Sequence, residues 1–229
     1  MPDERAPQQE RSLARRAAIL ESAASIFDRV GYGTASLSQI ATEAGFGQGL
    51  LYFYFRTKEA MALAVIQEQN DRTFAVMEKH ADLESPFSTL VRASRGIGEL
   101  LLTDAVVRAG IRLSLEQGVF AEPTSDFYDQ WIQGVVDAFA AARDTGEIDG
   151  TIAPELLGAN VVAYFTGVQL VSDVRTGRKD LMVSLDTMWS VLVDALARPD
   201  HKNRLRSVVD DTFGGSAGHQ APVASDAVT

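Results

Sequence analysis

Apolar residues recur at steps of three and four along most of the chain, which is the spacing of one face of an α-helix. In the segment from Arg11 to Val30 they fall at Ile19, Ala23, Ile26, Phe27 and Val30, and Gly31 follows as a helix-stopping residue. The pattern therefore predicts a first helix over 11–30. Ser36 is placed to cap a short second helix whose inner face is Leu37, Ile40, Ala41 and Ala44, with Gly45 supplying a turn. A third short helix is expected from about Gln48 to Phe53. Two short helices joined by a glycine-containing turn make a helix-turn-helix, whose second helix can enter a DNA major groove. The polar residues 1–10, with two prolines, predict a disordered tail.

Beyond Lys58 the periodicity stays helical and no period-two strand emerges. Helices are expected over 58–80, 86–103, 105–118, 124–145, 154–174 and 180–197, with a shorter one near 200–211. Breaks fall at Pro86, Gly118 with Pro123, Gly146, Pro154, Gly177 and Pro199. The expected fold is all-α, with a three-helix DNA-binding domain at 11–57, a larger helical domain at 58–212 and a disordered tail at 213–229. Ala159, Ala163 and Gly167 form a four-spaced row of small residues that permits close helix approach. Leu185, Met188, Trp189, Leu192 and Leu196 stripe the following long helix. That stripe suits either a partner subunit or the protein's own core.

Charge changes the picture in one respect. The net charge is −10, which opposes phosphate binding, but residues 1–60 carry seven Lys/Arg and seven Asp/Glu. The acidity belongs to the remainder. There is no cysteine, so disulfides, thiolate metal sites and thiol nucleophiles are excluded. With no export signal, a reducing cytoplasm is the expected location. The apolar run Leu156 to Val171 is interrupted by polar residues and is shorter than a membrane span, so no membrane partner is expected. The three histidines are scattered and no metal-ligand spacing or phosphate loop is present, so no catalytic residue, metal or cofactor is expected.

Residues 17–63, AAILESAASIFDRVGYGTASLSQIATEAGFGQGLLYFYFRTKEAMAL, resemble the DNA-binding domain of the TetR family. The likeness is carried by a helix ending in Phe and a Gly-aromatic pair, an Ile-Ala…Ala-Gly turn, and a Leu-Tyr-x-x-Phe…Lys-Glu run. The segments VRAGIRLSLEQG (107–118), FYDQWIQGVVDAFAAARDTGEI (127–148) and FTGVQLVSDVRTGRKDL (165–181), followed by Met188-Trp189, resemble the γ-butyrolactone receptors of antibiotic-producing actinomycetes. The resemblance implies a homodimer that represses transcription from a pseudo-palindromic operator in double-stranded DNA. A small lipophilic inducer of the γ-butyrolactone type would release it, with secondary metabolism under its control.

For DNA contact, Gln48 can pair bidentately with adenine, and Gly49 lets the backbone approach closely. Ser36 and Ser38 lie at a helix N-terminus, which favours phosphate. Arg11, Arg15 and Arg16 can follow the backbone or a minor groove. The resemblance adds Tyr52 on a phosphate, Tyr54 where the family usually has His, and Lys58 on the backbone. Covering the small domain's core is the other reading for both tyrosines, and an ordinary solvated helix end is the other reading for the arginines. Phe46, Leu51, Phe53 and Phe55 are assigned to packing. Gly47-Gln48-Gly49 stands where the related receptors have Thr-Lys-Gly, so a cation is lost and a second glycine costs up to about 1 kcal/mol of helix stability.

For the ligand, Trp131 shares a stripe with Phe127, Val135 and Phe139 and reads first as core. The resemblance makes it a cavity wall, with Gln69 and Thr166 as polar contacts to a lactone or hydroxyl. A buried Thr can equally be satisfied by its own helix. Phe74, Ile97, Leu101, Val135, Val162 and Phe165 are further candidate walls of a mostly apolar cavity. The helix beginning at Lys58 is the expected lever between DNA and ligand. Two other readings stand beside this one. The first is a pseudo-receptor that binds DNA but answers to an antibiotic, a pathway intermediate or nothing; the second is a ligand-binding protein that has lost its DNA.

Overall fold

A computed structural model describes residues 5–82, 84–116, 120 and 126–214. Among them run ten helices: α1 (Arg5–Thr34), α2 (Leu37–Ala44), α3 (Gln48–Tyr54), α4 (Lys58–Lys79), α5 (Pro86–Thr103), α6 (Ala105–Leu115), α7 (Asp126–Asp144), α8 (Pro154–Thr176), α9 (Leu181–Leu196) and α10 (Pro199–Phe213). The described residues form no strand, only one isolated antiparallel bridge between Ile148 and Ala197. The expected tail at 213–229 lies outside them beyond Gly214. Residues 5–10, expected without structure, are helical: Pro7 sits in the first turn of α1, where its missing N–H is not needed.

The chain divides into two compact units, 1–76 with 100–127, and 77–99 with 128–229. This division departs from a boundary at 57/58, because most of α4 and all of α6 belong with the helix-turn-helix. In the first unit Ile19, Ala23, Ile26 and Phe27 of α1 pack with Ile40 and Ala41 of α2, Leu51 of α3, Met61, Val65 and Ile66 of α4, and Val106, Ala109 and Leu113 of α6. α1 breaks at Gly31 (φ 78°, ψ 163°) instead of stopping there. The guanidinium of Arg112 lies where a Gly31 side chain would begin, and it donates to the Asp28 carbonyl at 3.0 Å. Arg108 holds the Asp28 carboxylate at 2.8 Å. α4 and α6 cross so closely at Gly110 that a Cβ there would meet the Gln69 side chain at 2.4 Å.

Arg72 of α4 joins three elements of this unit, donating to Glu21 of α1, Glu68 of α4 and Asp104, the N-cap of α6. Burial lowers its pKa, but those three hydrogen bonds outweigh burial and hold the guanidinium above its usual range.

The second unit is built around aromatic side chains. Phe87 of α5 meets the rings of Trp189 and Phe139 edge-on, at 5.6 and 6.2 Å between centroids. The Trp189 indole N–H donates to Ser94 Oγ at 2.5 Å. Leu185, Met188, Trp189 and Leu196 of α9 are buried in this core. Of the two faces open to this stripe, a partner or the protein's own core, these residues take the core, because α5, α8 and α10 cover them. Glu147, 1% exposed, is a buried carboxylate with a full set of donors: Ser85 Oγ, the Phe87 N–H and Arg204.

Candidate nucleic-acid interface and ligand cavity

The helix-turn-helix is fixed locally by its caps. Ser36 accepts from the Gln39 N–H and the Gln39 side chain returns to the Ser36 N–H, a reciprocal capping box, and Gly45 ends α2 in the left-handed conformation. The Ser36 hydroxyl donates to Gln39 Oε1 at 3.0 Å, so it is occupied within the cap, while Ser38 is exposed. On α3 only Leu51 is buried. Gln48, Gly49, Tyr52 and Phe53 are exposed along one side, and no hydrogen bond engages Gln48 or the Tyr52 hydroxyl among the described residues.

Three residues sit differently from expectation. Phe53, assigned to packing, is 75% exposed, because a seven-residue helix with Leu51 turned inward has no core left for it. Tyr54 is half-buried, and its hydroxyl is 3.0 Å from Ser12 Oγ, tying α3 to α1. Lys58, expected on the DNA backbone, is turned inward. Its Nζ donates to the carbonyls of Tyr32 (2.9 Å) and Ala35 (3.0 Å) and lies 4.4 Å from the Tyr32 ring centroid, where it neutralises the unpaired end of α1. Arg16 lies over the Phe55 ring. Arg11 and Arg15 are exposed without ion pairs among the described residues. With Gln8 and Ser12 they line an open groove whose other wall is Leu50, Phe53 and Tyr54.

The second unit contains an apolar cavity lined by Met77, Leu90, Ala93, Ser94, Ile97, Trp131, Val135, Val161, Val162, Phe165, Met188 and Trp189. It is narrow: the volume open to the centre of a water molecule is about 30 Å³, room for roughly two or three waters. Trp131 is 7% exposed and meets Phe165 edge-on at 5.5 Å. Of the expected ligand contacts, Ile97, Trp131, Val135, Val162 and Phe165 come together in these walls.

Gln69, Phe74, Leu101 and Thr166 do not line this cavity. The first three belong to the first unit, where Leu101 is fully buried and Phe74 half-buried; Thr166 sits half-buried on α8. Gln69 is wholly buried with its amide N–H donated to Thr73, and its Oε1 has no partner. Sequence reasoning passed over Ser94, Met188 and Trp189 as cavity residues, and also Gln169, whose buried Oε1 likewise has no partner. The detectable signal was Gln169 itself, an amide at a core position of an otherwise apolar helical stripe.

α8 leaves a long apolar face uncovered: Leu156, Ala159, Ala163, Tyr164, Gly167, Leu170, Val171 and Val174 are exposed, as are Val183 and Val191 of α9. No described helix is long and apolar enough to cross a membrane, and no described cluster of His, Asp or Glu could hold a metal.

Comparison with known proteins agrees with this geometry. Residues 19–65 match the family model of bacterial regulatory proteins, tetR family. The chain is 35% identical over 191 residues to the A-factor receptor protein of Streptomyces griseus, covering 83% of this chain and 67% of that one. The crystal structure of a γ-butyrolactone receptor, an ArpA-like protein, shares the fold with a TM-score of 0.77 at 24% identity, over 90% of this chain and 99% of the other. The TetR family protein CprB from Streptomyces coelicolor, in complex with its biological operator sequence, superposes with a TM-score of 0.75 at 25% identity, over 90% and 99% of the two chains. On this evidence the chain belongs to the TetR family of bacterial regulatory proteins.

Proposed function

We propose that the protein is a cytoplasmic, homodimeric transcriptional repressor that leaves its operator when a small lipophilic signal of the γ-butyrolactone type enters the second unit. Control of secondary metabolism or antibiotic biosynthesis is the role that goes with it, and its work is regulatory, not catalytic. The observation that carries this reading is the cavity. It lies beside Trp131 and Phe165 with the flexible Met77 and Met188 in its walls, side chains that can move aside to admit a ligand larger than the space now open. Apolar walls with few polar groups suit an uncharged ligand.

The reading side is α3, where Gln48, Gly49 and Tyr52 face outward. Arg11, Arg15 and the exposed Ser38 supply phosphate contacts. The uncovered face of α8 and α9 is the proposed dimer contact, and two-fold symmetry then presents two α3 helices to half-sites about 34 Å apart. Ligand and DNA oppose each other to the extent that each prefers a different arrangement of the protomers. Turning a 99:1 balance into 1:99 takes about 5.5 kcal/mol.

The test is a gel-shift assay on the DNA upstream of the protein's own gene, with and without a synthetic γ-butyrolactone carrying an alkyl side chain. The expected result is a specific shift relieved by the lactone, and loss of that relief, with DNA binding intact, in Ala93→Trp, which fills the cavity. A shift indifferent to the lactone would replace this reading with the pseudo-receptor.

A further inference from the structure

Phe53 is the most exposed aromatic residue described in the first unit, and its ring adds nothing to the core. It follows Gly49 by four residues, so the two are neighbours along one side of the helix, with Tyr52 beside them. Apart from its chain neighbours and the helix's own backbone, nothing in the protein lies within 4 Å of where a Gly49 side chain would begin, so the helix surface is bare there, an open notch one turn before Phe53. The ring's packing partner among the described residues is Tyr54, edge-on at 5.1 Å, which leaves a face and an edge open. A solvent-facing ring beside an empty notch is costly in water and matched to a small apolar group of about methyl size.

Resting on the repressor reading, we propose that Phe53 and the notch at Gly49 together read the C5 methyl of a thymine in the operator half-site. In the major groove this methyl is the apolar mark that distinguishes thymine, and a phenyl ring is one of the surfaces that recognises it. Gln48 and Tyr52, on the same side of α3, leave Phe53 at the end of the reading surface closest to the open groove lined by Arg11 and Arg15. That groove would hold the phosphates next to the thymine. Phe53 is thus a specificity-determining residue, although neither its charge nor its hydrogen bonding advertises it.

The experiment starts by selecting a binding site from random duplex DNA with the full chain, then replaces each thymine of that site by uracil, which removes the methyl and nothing else. The unaltered protein should lose affinity at one thymine per half-site, by about fourfold for one half-site and about fifteenfold for both, as expected for a buried methyl group. Phe53→Ala should bind the thymine site more weakly and show no further loss with uracil at that position, while its thermal unfolding stays unchanged. Equal uracil losses in both proteins, no sensitive thymine, or unaltered affinity in Phe53→Ala would overturn the inference and leave the repressor reading standing. Failure to enrich any sequence would overturn both.

Discussion

Phe53 on α3 and Trp189 on α9 are both large aromatic residues on helices with strong apolar content, yet one is 75% exposed and the other 2%. α3 has seven residues and buries one, whereas α9 has sixteen and buries six. A short helix of a helix-turn-helix is anchored by a single side chain and offers the rest outward. A long helix flanked by α8 and α10 has little surface left to offer. An aromatic side chain is thus left to solvent in one unit and provides cohesion in the other.

The largest test of that contrast is stability. Trp189→Ala should cost about 3–5 kcal/mol in denaturant unfolding through the cavity it leaves and the loss of its bond to Ser94. Phe53→Ala should stay within about 0.5 kcal/mol. A comparable loss in both would erase the distinction. Next in size, Val171→Glu on the uncovered face of α8 places two like charges at the proposed two-fold contact. It should weaken the dimer about a hundredfold, about 2.7 kcal/mol, in sedimentation equilibrium, with helical content preserved.

A smaller effect separates buried charge from buried aromatic. Arg204→Met strands the Glu147 carboxylate and should cost about 2 kcal/mol, less than a fully buried pair because Arg204 is itself half exposed. Adding Glu147→Gln should recover part of the loss.

The smallest effect concerns the turn into α9. Hydrogen bonds from Ser172 and Thr176 hold the Asp180 carboxyl below its usual range. A depressed carboxylate contributes stability above its unfolded value and loses it as pH falls through the folded one, here below about pH 4. Asp180→Asn should therefore melt slightly below the unaltered protein at pH 7, and the gap should narrow as pH falls below about 4.

Much of the architecture was legible because punctuation and periodicity coincide. Pro86 opens α5, Ser36 and Gly45 bracket α2, and Pro154 and Pro199 begin α8 and α10. Less was legible about which side each stripe faces. Periodicity says that Leu185, Met188 and Trp189 share a face; it does not say whether a partner or the same chain covers it. Lys58 reads as a surface cation until the carbonyl ends of α1 are seen beneath it. Trp131 as a cavity wall came from the family resemblance, since its stripe alone reads as core, and Ser94 and Met188 come from helices whose distance from Trp131 depends on packing alone. Gln69 kept its burial and lost the expected place in the cavity wall, because its close crossing with Gly110 assigns that part of α4 to the other unit.

The inward turn of Lys58 has a consequence for how the protein searches a genome. With that charge committed to α1, Arg16 lying over Phe55 and Arg29 paired with Glu43, the exposed cations near α3 without ion pairs among the described residues are Arg11, Arg15 and Arg56. If those three are the phosphate contacts of each protomer, the proposed dimer has a log-affinity slope against log salt of about −5. Irrelevant DNA, held by counterion release alone, thus retains the protein only briefly at cellular ionic strength. A small number of dimers is then not titrated away by the rest of the chromosome, and occupancy of the operator can follow the signal instead of the protein's copy number.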